Sequence, residues 1–130
     1  AVRWMSDDVR ELTSDVATPA FYDGDFFLLS KLRRCLSRVD PKTGEAKWTT
    51  PLPSREHFEA SPVLADGKVY MVNFAGLVVI ADAENGEIRA EIPMAEAPRA
   101  PIRSSIAVAG GQLFLRTNRT LFCIGEEAGQ

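Results

Sequence analysis

Val39-Asp40-Pro41-Lys42-Thr43-Gly44-Glu45-Ala46-Lys47-Trp48 is the stretch from which the fold can be read. It opens at the end of a strand, turns tightly between Asp40 and Gly44, and enters a second strand that closes on a tryptophan. Asp and Thr side chains can hydrogen-bond the turn backbone, and glycine supplies the left-handed residue the turn needs. A weaker copy lies at Ala81-Asp82-Ala83-Glu84-Asn85-Gly86-Glu87-Ile88-Arg89-Ala90. There Asp82 and Gly86 hold their places, Asn85 replaces Thr and Ala90 replaces Trp.

Aligning the two copies puts the rest of the chain in register. Gly24, Gly67 and Gly111 recur at spacings of 43 and 44 residues, and Trp4 precedes Trp48 by 44. Asp23-Gly24, Asp66-Gly67 and Gly110-Gly111 each sit between two apolar runs. Such pairs suit a type I′ hairpin, whose two central residues both need positive φ. Phe27, Tyr70 and Phe114 hold one position in the second strand of each unit. The strands expected are Val16–Tyr22, Asp25–Ser30, Cys35–Val39 and Glu45–Thr49; then Ser61–Ala65, Lys68–Asn73, Leu77–Ala81 and Glu87–Ile92; then Ser105–Ala109, Gln112–Arg116 and Thr120–Ile124. The strand Lys68–Asn73 alternates only loosely, which suits cover on both faces.

Between the units run connections. Pro51 and Pro53 break strand pairing, since proline offers no N–H to a ladder. Ser54–Glu59 reads as a polar connection, and Pro93, Pro98 and Pro101 mark the next linker. Lys31-Leu32-Arg33-Arg34 and Asn118-Arg119 read as turns, Ser6–Glu11 as a linker or one helical turn, and Gly125 onward as a polar tail. Gly, Pro and Asp punctuate every six to ten residues, which leaves no room for a helix of ordinary length. The expectation is an all-β chain of β-propeller blades: four-stranded antiparallel sheets, about three units, the last incomplete. The single partial propeller spans 1–130. It has an orphan strand, Val2–Met5, and linker over 1–15, blades over 16–52 and 61–94, and an incomplete blade over 104–125.

Asp40-x-x-Thr43-Gly44-x-x-x-Trp48 resembles the core of the pyrroloquinoline-quinone (PQQ)-type repeat, with Arg38 where that family prefers Ala. Ser61-Pro62…Asp66-Gly67-x-Val69-Tyr70 and Ser105…Gly111-x-Leu113-Phe114 resemble the openings of such repeats. The resemblance covers about Trp4 to Ile124. It implies that Asp40, Thr43 and Gly44, with Asp82 and Gly86 in the second copy, shape a turn. It implies that Trp48, and by register Trp4, dock flat between adjacent blades, with a smaller contact at Ala90. The family spans quinoprotein dehydrogenases, which hold PQQ on the axis with calcium, and non-enzymatic scaffolds such as the barrel-assembly lipoprotein BamB. It implies a bacterial, periplasmic or otherwise exported protein.

Closure raises a second question. Propellers commonly have four to eight blades, and the third unit lacks its fourth strand. Either this is part of a larger propeller, or two chains join head to tail, each completing the other's last blade. The first is favoured, because chains below four blades rarely stand alone. In either case the open edges invite association.

The composition is an ordinary globular one: 130 residues, 45% hydrophobic, 25% charged, net charge −3. Its basic residues form no stripe, which argues against a nucleic-acid partner. No run approaches the roughly 18 apolar residues of a membrane helix. The start at Ala1 shows no apolar leader, but a chain that does not begin with Met says little about one. Cys35 and Cys123 are distant and read as small apolar strand residues; no Cys/His cluster suggests zinc, and adjacent cysteines, frequent in the dehydrogenases, are missing. His57, the one histidine, lies in a polar connection and reads as a surface residue. Gly110-Gly111 precedes no helix, so it is not a phosphate loop. Asn118-Arg119-Thr120 is a glycosylation tripeptide read as turn chemistry. Asp7-Asp8 and Glu126-Glu127 read as solvated charge rather than acid/base pairs. No catalytic, cofactor or metal residue is assigned. A protein-binding scaffold is the first reading. A quinoprotein oxidoreductase fragment, with PQQ and calcium, and a carbohydrate- or small-ligand-binding propeller are the alternatives.

Overall fold

The computed structural model describes residues 1–5, 12–94 and 101–126. The described residues form eleven strands and no helix: β1 (Ala20–Tyr22), β2 (Asp25–Ser30), β3 (Cys35–Val39), β4 (Ala46–Pro51), β5 (Val63–Ala65), β6 (Lys68–Val72), β7 (Leu77–Asp82), β8 (Ile88–Pro93), β9 (Ala107–Ala109), β10 (Gln112–Arg116) and β11 (Leu121–Ile124). Sequential antiparallel pairing gives sheets β1-β2-β3-β4, β5-β6-β7-β8 and β9-β10-β11. These are the blades and the three-stranded blade expected of an all-β propeller segment.

The hairpins are where the Asp-Gly and Gly-Gly pairs put them. Asp23 and Gly24 have φ of 49° and 81°, Asp66 and Gly67 51° and 70°, Gly110 and Gly111 58° and 74°. Both central residues are left-handed each time, as a type I′ turn requires. The strand limits differ from expectation at several ends. The first begins at Ala20 rather than Val16, the ninth at Ala107 rather than Ser105, and the last at Leu121. β4 and β8 run one or two residues beyond their expected ends, to Pro51 and Pro93. Both strands are sheet edges, where a proline's missing N–H faces no partner.

One local irregularity recurs. Trp48 stands opposite Arg38 but Ala46 opposite Val39, leaving Lys47 as an extra residue. Ala90 stands opposite Ile80 but Ile88 opposite Ala81, leaving Arg89 extra in the same way. Each bulge re-aims one long cation. The orphan strand expected at Val2–Met5 is not seen: residues 1–5 carry no strand.

Two cores lie between the blades. The first joins Phe27, Leu29 and Leu36 to Val69, Met71, Val79 and Ala81. The second joins Val72 and Val78, with Tyr70, Ile80 and Ile92 at its margin, to Ile106, Leu113 and Leu115. Blade β5–β8 is therefore packed on both faces, as the loose alternation of β6 suggested. Each fully buried Leu, Val or Phe contributes about 1.5–3 kcal/mol relative to exposure, so the blades hold one another in place.

The connection Ser54–Glu59 is not simply polar surface. Phe58, 1% exposed, belongs to the first core. Asn73 ties this connection to the β6–β7 turn. Its Oδ1 accepts from the Ala75 and Leu77 amides at 3.0 and 2.9 Å, and its Nδ2 donates to Ser54 Oγ at 2.9 Å. Asn73 is 1% exposed, so Asn73→Ala takes the acceptor from the Ala75 and Leu77 amides and leaves a gap at a buried position. We expect it to cost about 2–3 kcal/mol in urea unfolding; a loss within 0.5 kcal/mol, the usual surface range, would show water replacing the amide.

Candidate functional site

The motif residues first organise their own turns. Asp40 Oδ1 accepts from the Lys42 amide at 2.7 Å and Thr43 Oγ1 from Glu45 at 3.2 Å, while the Gly44 amide donates to Asp40 O at 2.8 Å. In the second turn Asp82 Oδ1 accepts from Glu84 at 2.8 Å, and the Gly86 amide donates to Asp82 O at 2.9 Å. Asn85 Oδ1 accepts from Glu87 at 2.9 Å, so Asn does here what Thr43 does in the first copy. The Glu84 amide, and then the Arg89 guanidinium, hold the Asp82 carboxyl below the usual range.

Each turn is the seat of a tryptophan from the preceding unit. Trp48 Nε1 donates to Glu84 O at 2.9 Å, and Thr50 beside it donates to Gly86 O at 2.7 Å. Trp4 Nε1 donates to Pro41 O at 2.7 Å. Both seats are glycines, with φ of 75° at Gly44 and at Gly86. A Cβ at Gly86 would stand 2.6 Å from Trp48 Cε3, and one at Gly44 2.6 Å from Trp4 Cε3. The ring of Trp48 also meets Phe27 edge-on at 6.0 Å. So Trp4 seats as Trp48 does although its backbone forms no strand.

Arg38, the departure from the PQQ-type pattern, bridges the first two blades. Its Nε pairs with Asp25 at 2.6 Å, its Nη1 donates to Ala83 O of the next blade at 2.9 Å, and its guanidinium lies 5.5 Å from the Phe27 ring centre. Lys47, the bulged residue, reaches the same Asp25 oxygen at 2.7 Å. At the opposite end of the blades Glu59, 8% exposed at its side chain, takes Lys31 at 2.5 Å and Arg103 at 3.4 Å. Arg103 lies over Phe74, whose ring meets exposed His57 edge-on at 5.9 Å. Residues of the first two blades and of both connections meet there.

Among the described residues no three His, Cys, Asp or Glu side chains come together to hold a metal. Buried Asp25 is held by Arg38 and Lys47, and Asn73 by the Ala75 and Leu77 amides and Ser54 Oγ. Cys35 is buried in β3 and Cys123 exposed in β11. Thr117 Oγ1 accepts from the Arg119 and Thr120 amides at 3.3 and 3.0 Å, so Asn118 sits in a turn, exposed. Glu126 is exposed; Asp7, Asp8, Pro98 and Glu127 lie outside the described residues.

The family model described as outer membrane protein assembly factor BamB matches residues 1–130. The chain belongs to this family. Among solved structures 65 chains match. One is the crystal structure of BamB from Moraxella catarrhalis, with TM-score 0.56 and 15% identity over 71% of this chain. The chain spans 26% of the length of that BamB, and at this identity the likeness is one of fold. No curated protein matches. No helix among the described residues is long and apolar enough to cross a membrane.

The stacking of the three sheets leaves one face open at each end. Phe26 and Leu28 occupy the positions that Val69 and Met71 fill in the first core, but both are only half-buried, and Phe21, 63% exposed, stacks edge-on with Phe26 at 5.2 Å. On the far blade Phe114 and Cys123 stand opposite each other in register, at the positions of Tyr70 and Ile80, with Leu121, 68% exposed, on the same face. Periodicity could find these faces, but only the stack shows that they lie at its two ends.

Proposed function

We propose that this chain is a run of blades within a larger, exported, periplasmic propeller, and that the propeller is a non-catalytic, protein-binding scaffold. The observation that carries the reading is the pair of open blade faces. Phe21, Phe26 and Leu28 at one end, and Phe114, Leu121 and Cys123 at the other, hold positions whose counterparts are buried between blades. Further blades of the same kind cover them, either in one longer chain or by a second copy joined head to tail. The scaffold role is supported by the family, described as an assembly factor. The site residues Trp4, Asp40, Thr43, Gly44, Trp48, Asp82 and Gly86 serve this role as blade couplers, with no part in chemistry.

Light scattering over a range of concentrations tests the reading. The isolated chain of 14.3 kDa is expected to associate: a stable two-chain species marks closure by a second copy, and growth with concentration marks unsatisfied faces of a longer propeller. A monodisperse monomer across the range overturns the reading of these faces as blade contacts. Added PQQ and calcium are expected to leave the melting temperature unchanged and to yield no dye-linked oxidation of alcohols or sugars. A rise in melting temperature with oxidation would move the chain to the quinoprotein oxidoreductases.

A further inference from the structure

We propose that Asn85-Gly86 is a self-modification site. Its side-chain amide is hydrolysed without an enzyme when the turn under Trp48 opens, and the change leaves the junction between the first two blades permanently loosened. The chain has three asparagines, Asn73, Asn85 and Asn118, followed by Phe74, Gly86 and Arg119. Only before glycine does no side chain hinder the following backbone nitrogen from reaching the carboxamide carbon. In the reaction the Gly86 nitrogen bonds to Asn85 Cγ, the Cγ–Nδ2 bond breaks, and ammonia leaves with the proton of the Gly86 amide. The cyclic imide then takes up one water at either of its carbonyls. One opening gives an aspartate at position 85. The other gives an isoaspartate, in which the main chain runs through Cβ. No oxidant or reductant takes part.

The closed turn blocks this reaction through its hydrogen bonds. Gly86 N donates to Asp82 O at 2.9 Å, and Asn85 Oδ1 accepts from the Glu87 amide at 2.9 Å. Nucleophile and carboxamide are therefore both tied elsewhere. From the neighbouring blade, Trp48 Nε1 donates to Glu84 O at 2.9 Å and Thr50 Oγ1 to Gly86 O at 2.7 Å. Gly86 is buried against the Trp48 ring, whereas Asn85 is exposed, so water stands at the amide once the turn rearranges. The first turn has the same seat, but Thr43 precedes Gly44 there and offers no carboxamide. The chemistry is confined to the second seat. Conversion adds a carboxylate to a turn that already holds Asp82, Glu84 and Glu87. An isoaspartate also lengthens the main chain between Asp82 and Gly86, which breaks the spacing their hydrogen bond needs.

This site does not depend on the scaffold reading. The test follows conversion of Asn85 by peptide mass mapping in the full chain, kept in mildly alkaline buffer, with the free peptide Ala81–Ala90 as the unprotected reference. A reaction that needs an open state runs at a rate set by how often that state is visited. The native chain is expected to convert at least about tenfold more slowly than the peptide. Thr50→Val removes one bond to the turn and is expected to speed conversion about fivefold; Trp48→Ala speeds it further. Leu113→Ala weakens the other junction and is expected to stay within about twofold of the native rate. Thr50→Val and Leu113→Ala decide the matter should Trp48→Ala not fold. Native conversion as fast as the peptide, or equal acceleration by Thr50→Val and Leu113→Ala, overturns the proposal. The converted chain, separated by its added charge, is expected to unfold at lower urea than the unconverted one. Asn85→Thr, a copy of Thr43, is expected neither to convert nor to shift the midpoint. An unshifted midpoint in the converted chain overturns the loosening of the junction.

Discussion

Gly86→Ala is expected to destabilise the chain by about 3–5 kcal/mol, much of a small domain's stability. Two costs combine. Gly86 has φ of 75°, which a Cβ makes unfavourable by about 1 kcal/mol. The larger cost is steric. The added Cβ stands 2.6 Å from Trp48 Cε3, and the ring cannot slide away without leaving Phe27 and its bond to Glu84 O. Overpacking alone typically costs 1–3 kcal/mol, and unseating the half-buried Trp48 ring adds to it. Gly67→Ala is the control: φ is 70°, and nothing lies within 4 Å of its Cβ. It is expected to lose only about 1 kcal/mol. Urea unfolding of the pair separates backbone strain from contact, and equal losses at the two sites would sink the seat-of-glycine account.

The same contact makes the effects of Trp48 and Gly86 non-additive. Trp48→Ala alone is expected to cost about 3–5 kcal/mol. In the double variant the clash of the new Cβ with the indole is gone, so the sum of the single losses should exceed the double loss by about 1–3 kcal/mol. Residual cost remains at Thr50, which also crowds Gly86. Additivity within about 0.5 kcal/mol would mean that ring and glycine act separately.

The blade count, the hairpins and the turn-to-tryptophan motif are legible in the sequence because each rests on local rules. Asp-Gly demands two left-handed residues, and a turn glycine with a flanking Asp recurs at one spacing. What the sequence hides is set by neighbours. Lys47 and Arg89 look like ordinary polar strand residues, and only the pairing shows them as bulged. Phe58 and Glu59 sit in a stretch read as polar, yet one fills the first core and the other joins Lys31 to Arg103. Arg38 reads as a departure from a repeat, whereas across the interface it is a clamp to Ala83 O. Val2–Met5 shows the converse: a strand-like pattern makes no strand here, though its Trp4 still finds its glycine.

Asp25→Asn is expected to lower stability at neutral pH by about 2–4 kcal/mol, and the loss should disappear in acid. Asp25 is 4% exposed and shares one oxygen between Arg38 at 2.6 Å and Lys47 at 2.7 Å. The Lys47 hydrogen bond, opposed by burial and reinforced by Arg38, holds its carboxyl below the ordinary 3.8. Removing one partner of a buried pair commonly costs 3–5 kcal/mol because the other charge is stranded. Here Lys47 is 47% exposed at its side chain and recovers solvent, so the loss falls on Arg38, 11% exposed, and is trimmed by solvent screening. The sign follows from linkage. A carboxyl whose folded pKa is depressed contributes its full stability above the unfolded value and loses it as pH falls through the folded one. The native chain should hold a plateau down to about pH 5 and then lose stability below about pH 4. Glu59, lowered first by Lys31 from 4.5, and Asp82 add to that slope. The Asn variant should start lower, fall less steeply, and approach the native curve as pH falls through the depressed folded pKa of Asp25. Parallel curves from neutral pH down through the acid transition would mean that Asp25 acts through shape and not through its charge.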